Sequence, residues 1–384
     1  MGRATALAVL LLLALPASVA AQDSDGDGLR DFFERKWGIT DPQQPDSDGD
    51  GLIDSMEDND RDRLSNLGEQ RFRTNPADRD SDGDGRTDGN EDSDRDGRSN
   101  AREQDRRPVP LGIRPSLAFA SSNYPKRKET CHTDRRSSAV LTCTFGDESS
   151  GTTIALFGDS HAAQWIPALD SAGARVGWKV VQLTKSSCPS ATLDVRIQRK
   201  LDGGKTCQAW RQGVLQWLSD HPPDVVLVSN LSRYDLVRPD GRRVRTADRP
   251  AVWERGLAAT LAALPPSSRV VVLADTPRML GNVIACLRKH RSNISACASR
   301  RPRALASDVR PAERRASRAA GATYLSLNDL VCSYDPCPLI HGKVLAWRDQ
   351  GHLTAMFSRS LWPSMRDRLR SATEGELRPT RKRR

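Results

Sequence analysis

No cysteine occurs in the first 130 residues of this 384-residue chain, and no cysteine pair anywhere has the two-residue spacing of a zinc knuckle. With six histidines that do not gather beside the cysteines, this argues against structural zinc. After Leu15 no apolar run approaches the roughly 20 residues that a membrane-crossing helix needs. Basic residues are not interleaved with aromatics, which argues against a nucleic-acid surface despite a formal net charge of +10.

What is present begins with Arg3, an almost wholly apolar stretch from Ala4 to Leu15, and the small residues Ser18-Val19-Ala20-Ala21. This is the pattern of a secretory signal peptide over residues 1–21, with an uncleaved amino-terminal anchor as the alternative. No cysteine stands directly after the cleavage region and no later segment is long and apolar enough to cross a bilayer, so export should yield a soluble chain with no transmembrane segment. Its final place could be periplasm, cell surface or medium.

All eight cysteines follow residue 130, an even number in an exported chain, which favours disulfides. Spacing alone does not fix connectivity. Adjacent pairing is the expectation because it closes four short loops: Cys131 with Cys143, Cys188 with Cys207, Cys286 with Cys297, and Cys332 with Cys337.

Charge divides the chain in two. Residues 23 to 105 hold 26 Asp/Glu against 12 Lys/Arg, a net of −14, which leaves +24 for the remainder. The basic part suits anionic glycans or lipid headgroups as neighbours.

The acidic part is a repeat. Asp23, Asp25, Asp27, Asp31 and Glu34 stand at positions 1, 3, 5, 9 and 12 of one unit, with Gly28 at position 6. Carboxylates that converge around a sharp glycine turn, closed by a glutamate able to chelate bidentately, have calcium-loop spacing. The unit recurs as Asp46, Asp48, Asp50, Asp54 and Glu57, and as Asp80, Asp82, Asp84, Asp88 and Glu91. Two variants abut these: Asp58, Asp60, Asp62, Asn66 and Glu69, with Arg63 in the glycine position, and Asp92, Asp94, Asp96, Asn100 and Glu103. Arg63 should weaken its loop, because a side chain must then adopt the turn geometry. Adjoining units leave no room for the flanking helices of an ordinary EF-hand, so ions must stand in for a core.

With "DSDGDGL" and the intervening "TDP" and "TNP", this segment resembles the bacterial thrombospondin type 3 repeats. The resemblance implies a calcium-filled rod or stalk, the calcium being structural. A merely acidic, disordered linker is the alternative.

A Pro-rich basic stretch from Arg106 to Pro115 reads as the start of a linker, placed over residues 106–124. Beyond it, apolar runs at 152–157, 179–183, 224–229, 269–274 and 323–327 read as strands. Between and after them, 162–174, 207–220, 253–264, 312–320 and 353–369 read as helices. This alternation implies an α/β domain with a parallel sheet and helices on both faces, whose ligands collect at the carboxyl ends of the strands. The organisation is thus signal peptide 1–21, repeats 22–105, linker 106–124, α/β domain 125–372 and basic tail 373–384.

"FGDSH", residues 157 to 161, sits at such a strand end. Ser160 needs a base to become a nucleophile, and Asp349-Gln-Gly-His352 offers one, with the aspartate and imidazole placed on one turn opening the last helix. Asp349 would hold the ring, and His352 would reach Ser160. Asp159 should hold the turn; His161 could serve substrate contact or structure; Trp165 and Trp178 should be core.

"GDSH" early and "DQGH" late resemble the SGNH, or GDSL, hydrolase superfamily. "LFGDSHAAQWIPAL", Trp178, "LTKSSCP" and "RDQGHLT" are similar, more narrowly, to the SGNH domain fused to acyltransferase type 3 membrane proteins. The resemblance implies a flavodoxin-like sheet and serine-dependent O-acyl chemistry, usually O-acetyl transfer or removal, on envelope polysaccharides, with no cofactor for catalysis. Ser160 matches the nucleophile, His352 the base and Asp349 the orienting acid. The backbone N–H of Ser160 and the side chain of Asn230 match oxyanion donors, but "TKSSCPS" lacks the superfamily's oxyanion glycine. The partner would be an acylated glycan. A transferase would also need a separate membrane acyl donor, which narrowly favours a hydrolase. A non-catalytic, calcium-dependent surface glycan-binding protein is the competing reading.

Overall fold

Alternating apolar residues build a sheet with two buried faces. The computed structural model describes residues 22–125 and 128–373; the expected signal peptide and the tail from residue 374 lie outside the described residues. Strands β1 (His132–Thr133), β2 (Cys143–Gly146), β3 (Thr153–Gly158), β4 (Lys179–Lys185), β5 (Val225–Ser229), β6 (Arg269–Leu273) and β7 (Thr323–Leu325) form one sheet in the order β1-β4-β3-β5-β6-β7. All pairings along that path are parallel; β2 runs antiparallel beside β4.

Successive residues of a strand face opposite sides. Ile154, Leu156, Val225, Leu227, Val271 and Leu273 therefore enter one core, with Trp165 and Trp178. Ala155, Phe157, Val226, Val228 and Val272 enter the other, with Trp210 and Trp253. Each Val or Leu side chain so buried contributes about 1.5–3 kcal/mol. This explains the unbroken apolar run "VVLVS": a central parallel strand has no wet face. Helices α1 (Ser160–Ala163) and α2 (Ile166–Val176) follow β3, α3 (Lys205–Asp220) precedes β5, α4 (Arg249–Ala262) precedes β6, and α5 (Arg310–Ala319) precedes β7.

Two expected helices are broken where proline intervenes. The stretch 162–174 divides before Ile166, with Pro167 in the first turn of α2. The stretch 353–369 divides into α6 (Ala355–Ser360) and α7 (Trp362–Ala372), with Pro363 in the first turn of α7. Proline cannot donate an intrahelical bond but suits a helix start. Strands β1 and β2 and the helices Arg196–Asp202 and Val283–Lys289 were not foreseen. All four disulfides join the expected adjacent pairs.

The stretch read as a linker is bound along its length. Val109 N–H donates to the Arg291 carbonyl at 2.8 Å, Ile294 N–H to Arg107 at 2.9 Å, and Arg114 N–H to Lys343 at 2.7 Å. Extended backbone here finds partners in two loops of the α/β domain, which satisfies groups that a free linker would leave to water. Just before it, Asp105 is buried against Tyr334, whose hydroxyl donates to Asp105 Oδ2 at 3.0 Å. The second repeat touches α7, where Ser364 Oγ donates to the Asp50 carbonyl. A Cβ on Gly51 would overlap Ser364 Oγ, so this contact requires glycine.

Candidate functional site

Site residues meet at the carboxyl edge of the sheet. β3 stops at Gly158, where a Cβ would lie 1.8 Å from the Ser229 carbonyl oxygen of β5; only glycine allows the two strands to close here. Asp159 then caps the next turn. Its Oδ1 accepts from His161 N–H at 2.7 Å, and its Oδ2 accepts from Leu231 N–H at 2.9 Å and the Tyr234 hydroxyl at 2.8 Å. The expected turn-holding role of Asp159 thus extends to the loop after β5, and Ser160 is presented at the start of α1.

Ser160 Oγ lies 2.9 Å from His352 Nε2, and His352 Nδ1 lies 2.8 Å from Asp349 Oδ2. Asp349 and His352 do not open a helix, as their spacing suggested. They form a turn ahead of α6, in which Asp349 Oδ1 accepts from the N–H groups of Gly351 and His352, each at 2.8 Å. A short carboxylate that caps its own turn and still grips the ring explains Asp-x-x-His without helical geometry. These bonds hold the Asp349 carboxyl well below its usual range. Burial, then the charge on neighbouring His161, pushes the His352 imidazole down to about 4. A neutral imidazole with Nδ1–H on Asp349 leaves Nε2 free to accept the serine proton.

Sequence reasoning missed a second histidine–carboxylate pair. His161 Nδ1 lies 2.6 Å from Asp275 Oδ1, two residues beyond β6, and Asp275 Oδ2 accepts from both the N–H and the hydroxyl of Ser232 at 2.8 Å. Burial opposes charge on His161, but the Asp275 carboxylate wins and raises the imidazole pKa. The rings of His161 and His352 stand 4.5 Å apart. The available signal was position alone: an aspartate just past a central parallel strand is at the edge where such folds place their sites.

Asn230 lies at the same edge, its Oδ1 accepting from the Ser190 N–H at 2.7 Å and hydroxyl at 3.0 Å, which turns its NH2 away from Ser190. Where "TKSSCPS" lacks a glycine, Ser187 takes the left-handed backbone conformation, at φ 57°. Trp165 and Trp178 are buried, as expected of core residues.

In the acidic repeats, carboxylate oxygens of Asp23, Asp25 and Asp27 converge within 4.8 Å, as do those of Asp46, Asp48 and Asp50, of Asp58, Asp60 and Asp62, and of Asp80, Asp82 and Asp84. Asp60 and Glu69 also meet Asp88 of the following unit. Asp25 Oδ2, Glu34 Oε2, Asp46 Oδ1, Asp60 Oδ2 and Asn66 Oδ1 are buried without a hydrogen-bond partner. An all-oxygen donor set with unpartnered buried atoms fits calcium. Position 9 is used differently from the expectation of a plain ligand. Asp31, Asp54 and Asp88 each accept from the N–H and hydroxyl of the serine at position 2 of their own unit, clasping the loop. The asparagines at position 9, Asn66 and Asn100, reach back to the carbonyls of Asp54 and Asp88 at 2.8 Å, coupling adjacent units.

Arg63 occupies its loop's glycine position at φ 85°, close to the 90° and 91° of Gly51 and Gly85. A left-handed non-glycine residue costs about 1–2 kcal/mol, and glycine's greater unfolded freedom returns about 0.5–1. We predict that Arg63→Gly raises stability by roughly 0.5 kcal/mol in calcium. Chemical denaturation would show a higher midpoint; a lower one would mean that the Arg63 side chain is needed.

A parallel-sheet domain with this serine, imidazole and carboxylate file is of the esterase and acyltransferase kind. Residues 130–367 match the family described as "SGNH domain (fused to AT3 domains)", and the chain belongs to it. Among curated proteins none matches the chain. Among solved structures it is similar to the periplasmic domain of a lipopolysaccharide acetyltransferase from Salmonella ser. Paratyphi A, at 17% identity, with 67% of this chain and 97% of that chain covered and a TM-score of 0.48. It is also similar to two carbohydrate acetylesterase structures from Sinorhizobium meliloti. One is 11% identical, covers 58% of this chain and 99% of its own, and has a TM-score of 0.31. The other is 14% identical, covers 57% and 99%, and has a TM-score of 0.35.

Proposed function

We propose that this is an exported enzyme that cleaves or transfers O-acyl groups, chiefly acetyl, on envelope or extracellular glycans, with hydrolysis favoured. The observation that carries this reading is the 2.9 Å approach of Ser160 Oγ to a His352 ring oriented by Asp349. Ser160 Oγ attacks the acyl carbonyl carbon while His352 Nε2 takes its proton. The tetrahedral oxyanion is met by the Ser160 N–H and the NH2 of Asn230. His352 returns the proton to the leaving sugar oxygen, and the acyl group stays on Ser160. Water, deprotonated by the same imidazole, then releases the acid; a sugar hydroxyl in its place completes a transfer.

Four disulfides among the described residues support an oxidising, extracytoplasmic setting. No helix among those residues is long and apolar enough to cross a membrane. The repeats would hold structural calcium through the carboxylates of Asp23, Asp25, Asp27, Asp46, Asp48, Asp50, Asp58, Asp60, Asp62, Glu69, Asp80, Asp82 and Asp84. A bound ion would supply charge neutralisation there and would take no part in the acyl chemistry.

The reading is tested with a fluorophosphonate, which should label the wild-type protein and not Ser160→Ala. Absence of labelling in a folded wild type would instead favour a glycan-binding module.

The pH profile tests the imidazole pair. His352 must be neutral to act as base, so with its pKa lowered to about 4, kcat/KM should stay level from pH 7 down and fall only as the pH passes through about 4. Replacing His161 by glutamine removes the neighbouring cation and should move that acid limb to higher pH. An unmoved limb would refute electrostatic coupling between the rings.

A further inference from the structure

A cavity of about 470 Å³ opens beside the triad, and its lining includes His161, Arg233, Asp275, Arg278, Asp349 and His352. Its two carboxylates are fully engaged: Asp275 by His161 and Ser232, Asp349 by His352 and two backbone N–H groups. Its two guanidiniums are not. Arg233 donates to the Ala306 carbonyl and Arg278 to Gln350 Oε1 at 3.0 Å, both neutral acceptors. Nearby Asp308 is taken by Arg249 at 3.2 Å. Burial, then the charge on Arg278, lowers the Arg233 pKa against the opposing pull of Asp275 and Asp308, and the hydrogen bonds that the two guanidiniums donate go to neutral oxygens, not to a carboxylate.

We propose that Arg233 and Arg278 form a subsite for a carboxylate borne by the glycan, so that the preferred substrate is an O-acylated acidic sugar polymer. The substrate part of this inference rests on the function proposed above. Planar guanidiniums match a carboxylate through paired N–H donors, and a site already partly shielded from water strengthens that match. The subsite lies on the cavity wall shared with His352, so an acidic sugar held there brings its own or its neighbour's ester to Ser160. The cost of holding two like charges together in the free protein is relieved when the carboxylate binds, which gives selectivity against neutral glycans.

The test reads binding in the full chain carrying Ser160→Ala, so it does not depend on turnover. Calorimetric titration uses a galacturonic acid oligomer and its fully methyl-esterified counterpart, which has the same sugars without the charge. The acid should bind at least about tenfold more tightly, the order expected for charged hydrogen bonds. Adding Arg278→Gln should reduce that preference, and adding Arg233→Gln with it should abolish it. Arg314→Gln with Arg318→Gln, exposed arginines on α5, should keep it.

Equal binding of acid and ester by the parent would overturn the proposal, as would a preference that survives Arg233→Gln/Arg278→Gln. Loss of preference in Arg314→Gln/Arg318→Gln would also overturn it, by tracing the effect to overall basicity. Since Arg278 is exposed, its single variant reports even if the double variant fails to fold. Failed fluorophosphonate labelling would refute the enzymatic reading and leave this titration intact.

Discussion

Ser160→Ala and His352→Ala will each lower kcat on p-nitrophenyl acetate by about 10⁴-fold or more, and the double variant will be scarcely worse than either. Each single change disables the same proton transfer, so the second has little left to remove. Asp349→Asn should cost about 10³- to 10⁴-fold, because an amide can no longer hold the tautomer that leaves Nε2 unprotonated. Acetate release from O-acetylated polysaccharides should follow the same order. A Ser160→Ala protein that retained a tenth of wild-type kcat would place the chemistry elsewhere.

Chelating calcium should expand the acidic repeat segment. Residues 22–105 hold few buried apolar side chains, Leu29, Phe33, Met56, Leu64 and Ala101 among them, against converging carboxylates in unit after unit. Without a cation, repulsion outweighs so small an apolar core. A segment of this length has a radius of gyration of about 12 Å when compact and about 28 Å when unfolded. The full chain's hydrodynamic radius should therefore rise on adding chelator and fall again with millimolar calcium. An unchanged radius would defeat the metal-core reading.

Much of this candidate site was legible in residue order, because short patterns carry the residues proposed for its chemistry. Ser160 follows a strand and a turn that only glycine permits, and Asp349 stands three residues before its imidazole. The secondary structure around Asp349 was not legible. A spacing of three suits a helical turn and a side-chain-capped turn equally, and only the carboxylate's bonds to Gly351 and His352 N–H separate them. Asp275 escaped notice because its partner is 114 residues away and strand pairing alone brings them together. The linker expectation failed for a related reason. Proline and arginine announce an irregular backbone, but whether that backbone is free depends on loops near residues 291 and 343 that local sequence does not reveal.

The four disulfides each close an interval of 5 to 19 residues, and no two intervals overlap. A chain threaded amino-terminus first into an oxidising compartment therefore meets its cysteines in pairing order. Whenever a cysteine emerges second in its pair, its proper partner is the one thiol still waiting. Sequential oxidation then yields the native connectivity without a step that must be undone, and a disulfide isomerase has nothing to correct.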